Sequence, residues 1–253
     1  MSRISESDEV IAQKALRLLE LTSLNADDTA ERIVALCQKG LTPVGDVAAI
    51  CVLPRFAGLA RRTLDGLFAR DIKVVAAVNF PSGGAGIATV ESETEAAILT
   101  GADEIDLVFP FRAQMAGNRH IGRAMVAACK ALCGERATLT VTLETGVLRD
   151  PQTIHDVCRT VIREGAAFLK TSTGKQIIST TPQAVRILIE AIAELGPHVG
   201  FKAAGNVRSL EEARAYIEMA QARFGPFWLE TGKMRLGAAS LLDDLLVQLG
   251  VSP

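Results

Sequence analysis

The chain has 253 residues, 49% of them apolar and only 4% aromatic, with 27 basic side chains against 29 acidic ones and a formal charge of −2. That length fits one α/β barrel or two smaller domains, with a core that must be aliphatic. No basic run alternates with aromatics, which excludes nucleic acid as a partner; no apolar run nears the ~18 residues of a membrane span, which excludes a transmembrane protein.

The stretch Met1 to Val10 is polar and acidic and lacks a secretory pattern. Five cysteines, an odd number, sit inside apolar patterns and read as reduced core thiols of a cytoplasmic protein. Cys129 and Cys133 share a helix face, but no ligand cluster accompanies them, so no metal is expected. His120, His155 and His198 are scattered and support neither a zinc site nor a histidine base.

A helix is predicted from Asp8 to Leu18, giving residues 1–17 as a helical extension. Alternation then makes Leu18 to Leu24 a strand. Asp28 with Glu31 reads as the start of a helix that ends at Gly40. Val47 to Leu53 is the next strand, Phe56 to Phe68 a helix, and Ile72 to Val78 a third strand. Ser92 with Glu95 forms a capping-box pattern for a helix ending at Gly101. Strand Glu104 to Phe109, helix Ile121 to Leu132 and strand Thr138 to Glu144 follow. Asp150-Pro151 and Thr181-Pro182 are cap-then-proline helix starts on either side of strand Ala167 to Lys170. Strand Val199 to Ala203, a helix capped by Ser209 and Glu212, strand Lys233 to Leu236 and a helix from Ser240 with Asp243 complete the chain.

These are eight strand-then-helix units with no linker between them. Strands alternating with helices imply parallel pairing with right-handed crossovers. The expected fold is a single (β/α)8 TIM barrel over 1–253 with an extra N-terminal helix. An open doubly wound sheet would want a glycine fingerprint after the first strand, where Leu24-Asn25-Ala26-Asp27 has none.

Barrel sites lie at the carboxyl ends of strands. The polar residues there are Glu20, Thr22, Cys51, Asn79, Asp106, Thr142, Glu144, Lys170 and Lys202, with the run from Gly237. Thr138, Thr140, Thr142 and Glu144 fall on one face of the fifth strand, an inner face too polar for a plain core. Lys170 and Lys202 end successive strands, which stand ~4.8 Å apart. Mutual repulsion and burial are expected to lower at least one lysine pKa and supply a neutral amine for carbonyl attack, with Asp106 as proton shuttle. Lysines that snorkel or pair with carboxylates are the ordinary alternative; two on adjacent strands beside an inward aspartate favour chemistry. Thr171 to Lys175, Ala204 to Arg208 and Gly237 to Ser240 are loops suited to a phosphate. Thr173-Gly174-Lys175 is not a Walker loop, since Leu169 stands where its first glycine would be.

The chain resembles the 2-deoxyribose-5-phosphate aldolases. The resemblance rests on Leu21 to Asn25, Ala49 to Cys51, Asn79 to Pro81, Gly101 to Asp106, Met115 to Asn118, Glu144 to Gly146, Phe168 to Lys175, Gly200 to Lys202 and Arg235 to Ala238, nearly the whole chain in order. It implies a class I aldolase (EC 4.1.2.4) that reversibly cleaves 2-deoxy-D-ribose 5-phosphate to acetaldehyde and D-glyceraldehyde 3-phosphate without cofactor or metal. Its partners would be a small sugar phosphate and aldehydes. Lys170 would be the Schiff-base lysine, Lys202 would lower its pKa, and Asp106 would act as acid and base. Thr171, Gly174, Lys175, Gly205, Asn206, Val207, Arg208, Gly237 and Ser240 would bind substrate and phosphate, with Thr22, Leu24 and Cys51 also lining the substrate. The chain departs from the family pattern at Asn206 (usually glycine), Ala239 (usually serine), Thr140 (commonly lysine), Ala203 (often proline) and Glu20 (aspartate). It ends at Pro253, short of a tyrosine-bearing tail found in some members. A Schiff-base aldolase or transaldolase for another, unphosphorylated aldehyde, a non-catalytic sugar-phosphate-binding barrel, and a homodimer stay open.

Overall fold

A computed structural model describes residues 6–251. Its eight strands are β1 (Leu19–Ser23), β2 (Ala49–Val52), β3 (Lys73–Val78), β4 (Glu104–Val108), β5 (Thr138–Thr142), β6 (Phe168–Lys170), β7 (Gly200–Ala204) and β8 (Met234–Ala238). All pair in parallel with their sequence neighbours, and β8 returns to β1, so the barrel is closed. Between them run α2 (Ala30–Lys39), α3 (Ala57–Gly66), α4 (Ile87–Thr100), the short α5 (Phe111–Met115), α6 (Arg119–Cys133), the short α7 (Thr145–Leu148), α8 (Pro151–Arg163), α9 (Pro182–Leu195) and α10 (Leu210–Phe224). The helix α11 (Leu241–Gln248) follows β8. The helix α1 (Asp8–Leu18) precedes the first strand, as expected; residues 1–5 of the expected extension lie outside the described residues. No helix among the described residues is long and apolar enough to cross a membrane.

Strand alternation sorts the interior into two unlike halves. Outward residues such as Leu21, Ile50, Ile105, Leu107, Leu139, Val141, Leu169, Phe201 and Leu236 join the helices in one continuous aliphatic core. The inward apolar cluster holds only Ala49, Cys51, Val75 and Ala77 at its centre. Much of the remaining barrel interior is polar: Glu20, Glu104, Asp106, Thr140, Thr142, Lys170, Lys202 and Arg235 are all buried. The aliphatic shell therefore fixes the strands, and the strands fix a set of charges.

Several helix starts follow their cap chemistry. Asp150 and Thr181 accept from the backbone of Thr153 and Ala184, each just before a proline. Ser209 and Glu212 form a complete capping box at α10. Two expected starts move. The Ser92/Glu95 pattern lies inside α4, which begins at Ile87, because the Thr89 and Val90 N–H groups already bond the Gly86 carbonyl. The cap of α2 is Thr29; Asp28 instead accepts from the Ser23 hydroxyl and the Asn25 N–H, bracing the turn after β1. Glu144 is not part of β5, which stops at Thr142, and its backbone is left-handed (φ 60°).

Candidate active site

At the centre of the barrel, Glu20 on β1 reaches two lysines on different strands. Its Oε1 accepts from Lys170 Nζ at 3.3 Å and its Oε2 from Lys202 Nζ at 2.7 Å. Lys170 also donates to Asp106 Oδ2 at 2.5 Å, and Thr142 holds the other Asp106 oxygen at 2.6 Å. Lys202 also donates to Glu104 Oε2 at 3.0 Å. Arg235 on β8 grips Glu104 with two nitrogens, at 2.6 and 3.2 Å. Under this set lies the Phe168 ring, with Lys202 Nζ 4.9 Å and Arg235 Cζ 5.6 Å from its centroid, where the ring face favours cations. Three carboxylates thus face three cations, which is the condition for charges to remain buried.

The register places Lys170 and Lys202 opposite one another on β6 and β7, as their spacing implied. For Lys170 the expected consequence for pKa is reversed. Burial opposes the Lys170 charge, but Asp106 and Glu20 outweigh it and hold the ammonium above the ordinary lysine range. The Glu20 carboxylate stands between the two ammonium groups, with one oxygen to each. Burial likewise opposes the Glu20 charge, and Lys202, Lys170 and Arg235 outweigh it, holding the carboxyl well below its usual range. Glu104 is lowered in the same way, by Lys202 and Arg235 against burial. Burial pushes the Cys51 thiol up, so it is a neutral neighbour. Ligand atoms of Glu20, Cys51 and Asp106 lie within 4.8 Å of one another. Lys170 occupies both carboxylates of that group, and a cation there would have to displace an ammonium.

Above Lys170 opens a cavity of about 370 Å³. It is lined by Thr22 and Leu24 from the end of β1, and by Gly174 and Lys175 after β6. Gly205, Asn206, Val207 and Arg208 line it after β7, and Gly237, Ala239 and Ser240 after β8. The expected substrate residues therefore converge, with two exceptions. Thr171 turns away: its hydroxyl bridges the backbone of Ala204, donating to the carbonyl and accepting from the N–H, both at 3.0 Å, and it fastens β6 to β7. Cys51 lies beneath the cavity, beside Glu20 and Asp106. Asn206 adopts φ 61°, a region that asparagine tolerates, so the turn expected to need glycine is kept. Its Oδ1 accepts from Arg208 at 3.1 Å. Gly237 leaves room for the lysine: a Cβ there would come within 2.8 Å of the Ala204 Cβ and 3.6 Å of the Lys170 Cε. Lys175 donates to Asn25 Oδ1 at 3.0 Å and borders a larger cavity, of about 1040 Å³, between the β1–β3 loops and α3 and α4. The buried ion set is absent from the lining of that larger space.

Residues 14–246 match the family described as DeoC/LacD family aldolase. The chain belongs to this aldolase family. It is similar to a putative deoxyribose-phosphate aldolase from Toxoplasma gondii ME49, at 26% identity and a TM-score of 0.88, over 96% of this chain and 95% of that one. The deoxyribose phosphate aldolase from Aeropyrum pernix (22% identity, TM-score 0.75, 94% and 91% covered) and the triosephosphate isomerase from Bartonella henselae (13%, 0.57, 92% and 97%) share the fold.

Two members of the aldolase's charge set were not singled out from its sequence, Glu104 and Arg235. Period-two spacing carried the signal: Glu104 shares a strand face with Asp106, and Arg235 with Gly237. Asn79, inspected as a strand-end polar residue, is structural: its Nδ2 donates to the Val108 carbonyl at 2.8 Å, and its N–H to Glu93.

Glu20 is the shared counter-ion, so E20Q should destabilise the fold by about 3 kcal/mol at pH 7, as expected when one partner of a buried ion set is removed. Its folded pKa lies below the ordinary 4.5, so its contribution is complete above about pH 5 and is lost as pH falls through the folded value. Urea unfolding at pH 7 and pH 4 should give a gap between wild type and variant that narrows on the acid side. Equal midpoints at pH 7 would contradict the shared role.

Proposed function

We propose that this aldolase reversibly cleaves 2-deoxy-D-ribose 5-phosphate to acetaldehyde and D-glyceraldehyde 3-phosphate through a Schiff base on Lys170. The observation that carries the reading is one buried ammonium, 2.5 Å from an aspartate, below a cavity bordered by Lys175 and Arg208.

In this reading the resting ammonium passes its proton to Asp106 as the aldehyde displaces solvent from the cavity. The neutral amine attacks C1, forming the C–N bond, and the proton that the attacking nitrogen then sheds passes to the carbonyl oxygen to give a carbinolamine. The acid on Asp106 protonates the departing hydroxyl, water leaves, and an iminium remains on Lys170. The carboxylate, restored and held by Thr142, removes the proton of the C3 hydroxyl. The C2–C3 bond breaks, its electron pair flows into the iminium, and the C3 carbon leaves as the aldehyde of glyceraldehyde 3-phosphate. Protonation of the enamine carbon and hydrolysis release acetaldehyde and return the ammonium. Lys202 and Glu20 keep the charge balanced while Lys170 gains and loses its proton. Lys175 and Arg208, with the small-residue turns at Gly205 and Gly237, suit the 5-phosphate. Five buried free cysteines support a reducing, cytoplasmic setting.

A second reading is favoured by one observation: Ala239 presents a methyl group to the cavity where a serine would present a hydroxyl. An unphosphorylated aldehyde would then be the better substrate.

Incubation with acetaldehyde and borohydride should alkylate the peptide carrying Lys170, and K170R should abolish both trapping and cleavage. D106N should lower kcat by about 10²- to 10⁴-fold, the usual range for an acid–base group. An unmodified Lys170 peptide from active enzyme would sink the covalent step. On 2-deoxyribose 5-phosphate, K175M should raise KM by about 10-fold or more, the scale of one charge-assisted hydrogen bond. Equal kcat/KM for 2-deoxyribose with and without the phosphate would favour the second reading.

A further inference from the structure

Glu144 is a buried carboxylate that the reaction above leaves unused. It stands two residues beyond β5 with φ 60° and ψ 57°, a backbone region that side-chain-bearing residues enter at a cost. Its side chain is fully buried, and burial raises its pKa against the opposing pull of Thr173. What it holds is the loop after β6. Oε2 accepts from the Thr173 N–H at 3.2 Å and from the Thr173 hydroxyl at 2.5 Å. The hydroxyl oxygen of Thr173 in turn accepts from the Lys175 N–H at 3.1 Å. One short chain of hydrogen bonds therefore runs from Glu144 through Thr173 to the backbone of the lysine that borders the cavity.

The surrounding contacts tie the same two segments together. Leu143 N–H donates to the Lys170 carbonyl at 2.9 Å and Thr145 N–H to the Thr171 carbonyl at 3.0 Å. A Cβ on Gly146 would stand 1.8 Å from the Ile178 carbonyl oxygen, so the backbones are in direct contact there. The other Glu144 oxygen, Oε1, makes no hydrogen bond of normal geometry among the described residues, though the Ser172 hydroxyl beside Glu144 helps hold its pKa down. A buried acid with only one oxygen in well-formed hydrogen bonds is a poor choice for stability alone. Its position serves the loop instead.

We propose that Glu144 is a positioning residue that, through Thr173, holds Gly174 and Lys175 at the cavity and so sets the preference for a substrate with a distal anionic group. This rests on the phosphate-binding reading above. Glu144 acts on the reaction through Thr173 and touches no reacting atom.

The test uses the full chain and four proteins: wild type, E144M, T173V and the conservative E144Q. For each, kcat and KM are measured with 2-deoxyribose 5-phosphate and with 2-deoxyribose, alongside borohydride trapping of acetaldehyde. The ratio of kcat/KM for the two substrates should fall by about 10-fold or more in E144M and in T173V, carried mainly by KM for the phosphorylated substrate. E144Q, which keeps an acceptor, should recover most of the ratio. T173V removes the hydroxyl at nearly constant volume and stands as a test even where E144M folds poorly. A wild-type enzyme that traps acetaldehyde on Lys170 beside a T173V variant with an unchanged ratio overturns this inference alone. A wild-type enzyme that traps nothing overturns the Schiff-base reading and this inference with it.

Discussion

A carboxylate shared by two ammonium groups sets the terms for the centre of this barrel. Glu20 contacts Lys170 with one oxygen and Lys202 with the other. The two lysines then need further partners, which are Asp106 and Glu104, and Glu104 needs Arg235. Each member is tolerable in a buried place only because the others are present. The eight strands exist to hold that set in register, and the aliphatic shell of helices keeps water from its outer side. The small inner cluster of Ala49, Cys51, Val75 and Ala77 fills the sector of β2 and β3, and charged groups begin on the flanking strands β1 and β4.

The site splits between groups on strands and groups in the loops just beyond them. Lys170, Lys202 and Asp106 stand on strands, where neighbouring ladders fix them within the sheet. Lys175, Asn206, Arg208 and Ser240 stand just past strand ends, where charge meets solvent. Chemistry at a reacting carbon demands close placement, whereas a distal anion can be held by groups that adjust. Thr171 and Glu144 join the two zones, the first by tying β6 to β7 and the second by anchoring the loop. The charge state of Lys170 fits this plan. In the proposed reaction, an ammonium stored against Asp106 would carry the proton that loss of the carbinolamine hydroxyl later requires.

The architecture was legible in the sequence because strand and helix periods alternate eight times, and each strand is short and aliphatic on its outer face. The juxtaposition of Lys170, Lys202 and Asp106 was legible because strand ends in a barrel converge. What the sequence did not carry is the identity of counter-charges across the barrel. Glu20 and Lys202 are 182 positions apart in the chain, and only closure of the ring brings them together. That is why repulsion between the lysines was expected to lower a pKa, whereas at Lys170 the carboxylates of Asp106 and Glu20 reverse the sign. Local backbone choices were also hidden. The left-handed turn at Glu144 replaces an expected strand position, and α4 starts five residues before its capping pattern because backbone bonds to Gly86 suffice.

The charge on Lys170 in the resting enzyme is the most direct test. Nitrogen-15 NMR of lysine-labelled protein, with the Lys170 signal assigned by its absence in K170R, reports whether Nζ is an ammonium or an amine as pH is raised. Dominance of Asp106 and Glu20 predicts an ammonium that persists beyond the ordinary lysine value of 10.5. A Lys170 signal that titrates below that value, toward neutral pH, would mean that Lys202 and burial prevail, and would contradict the central place given to the shared carboxylate.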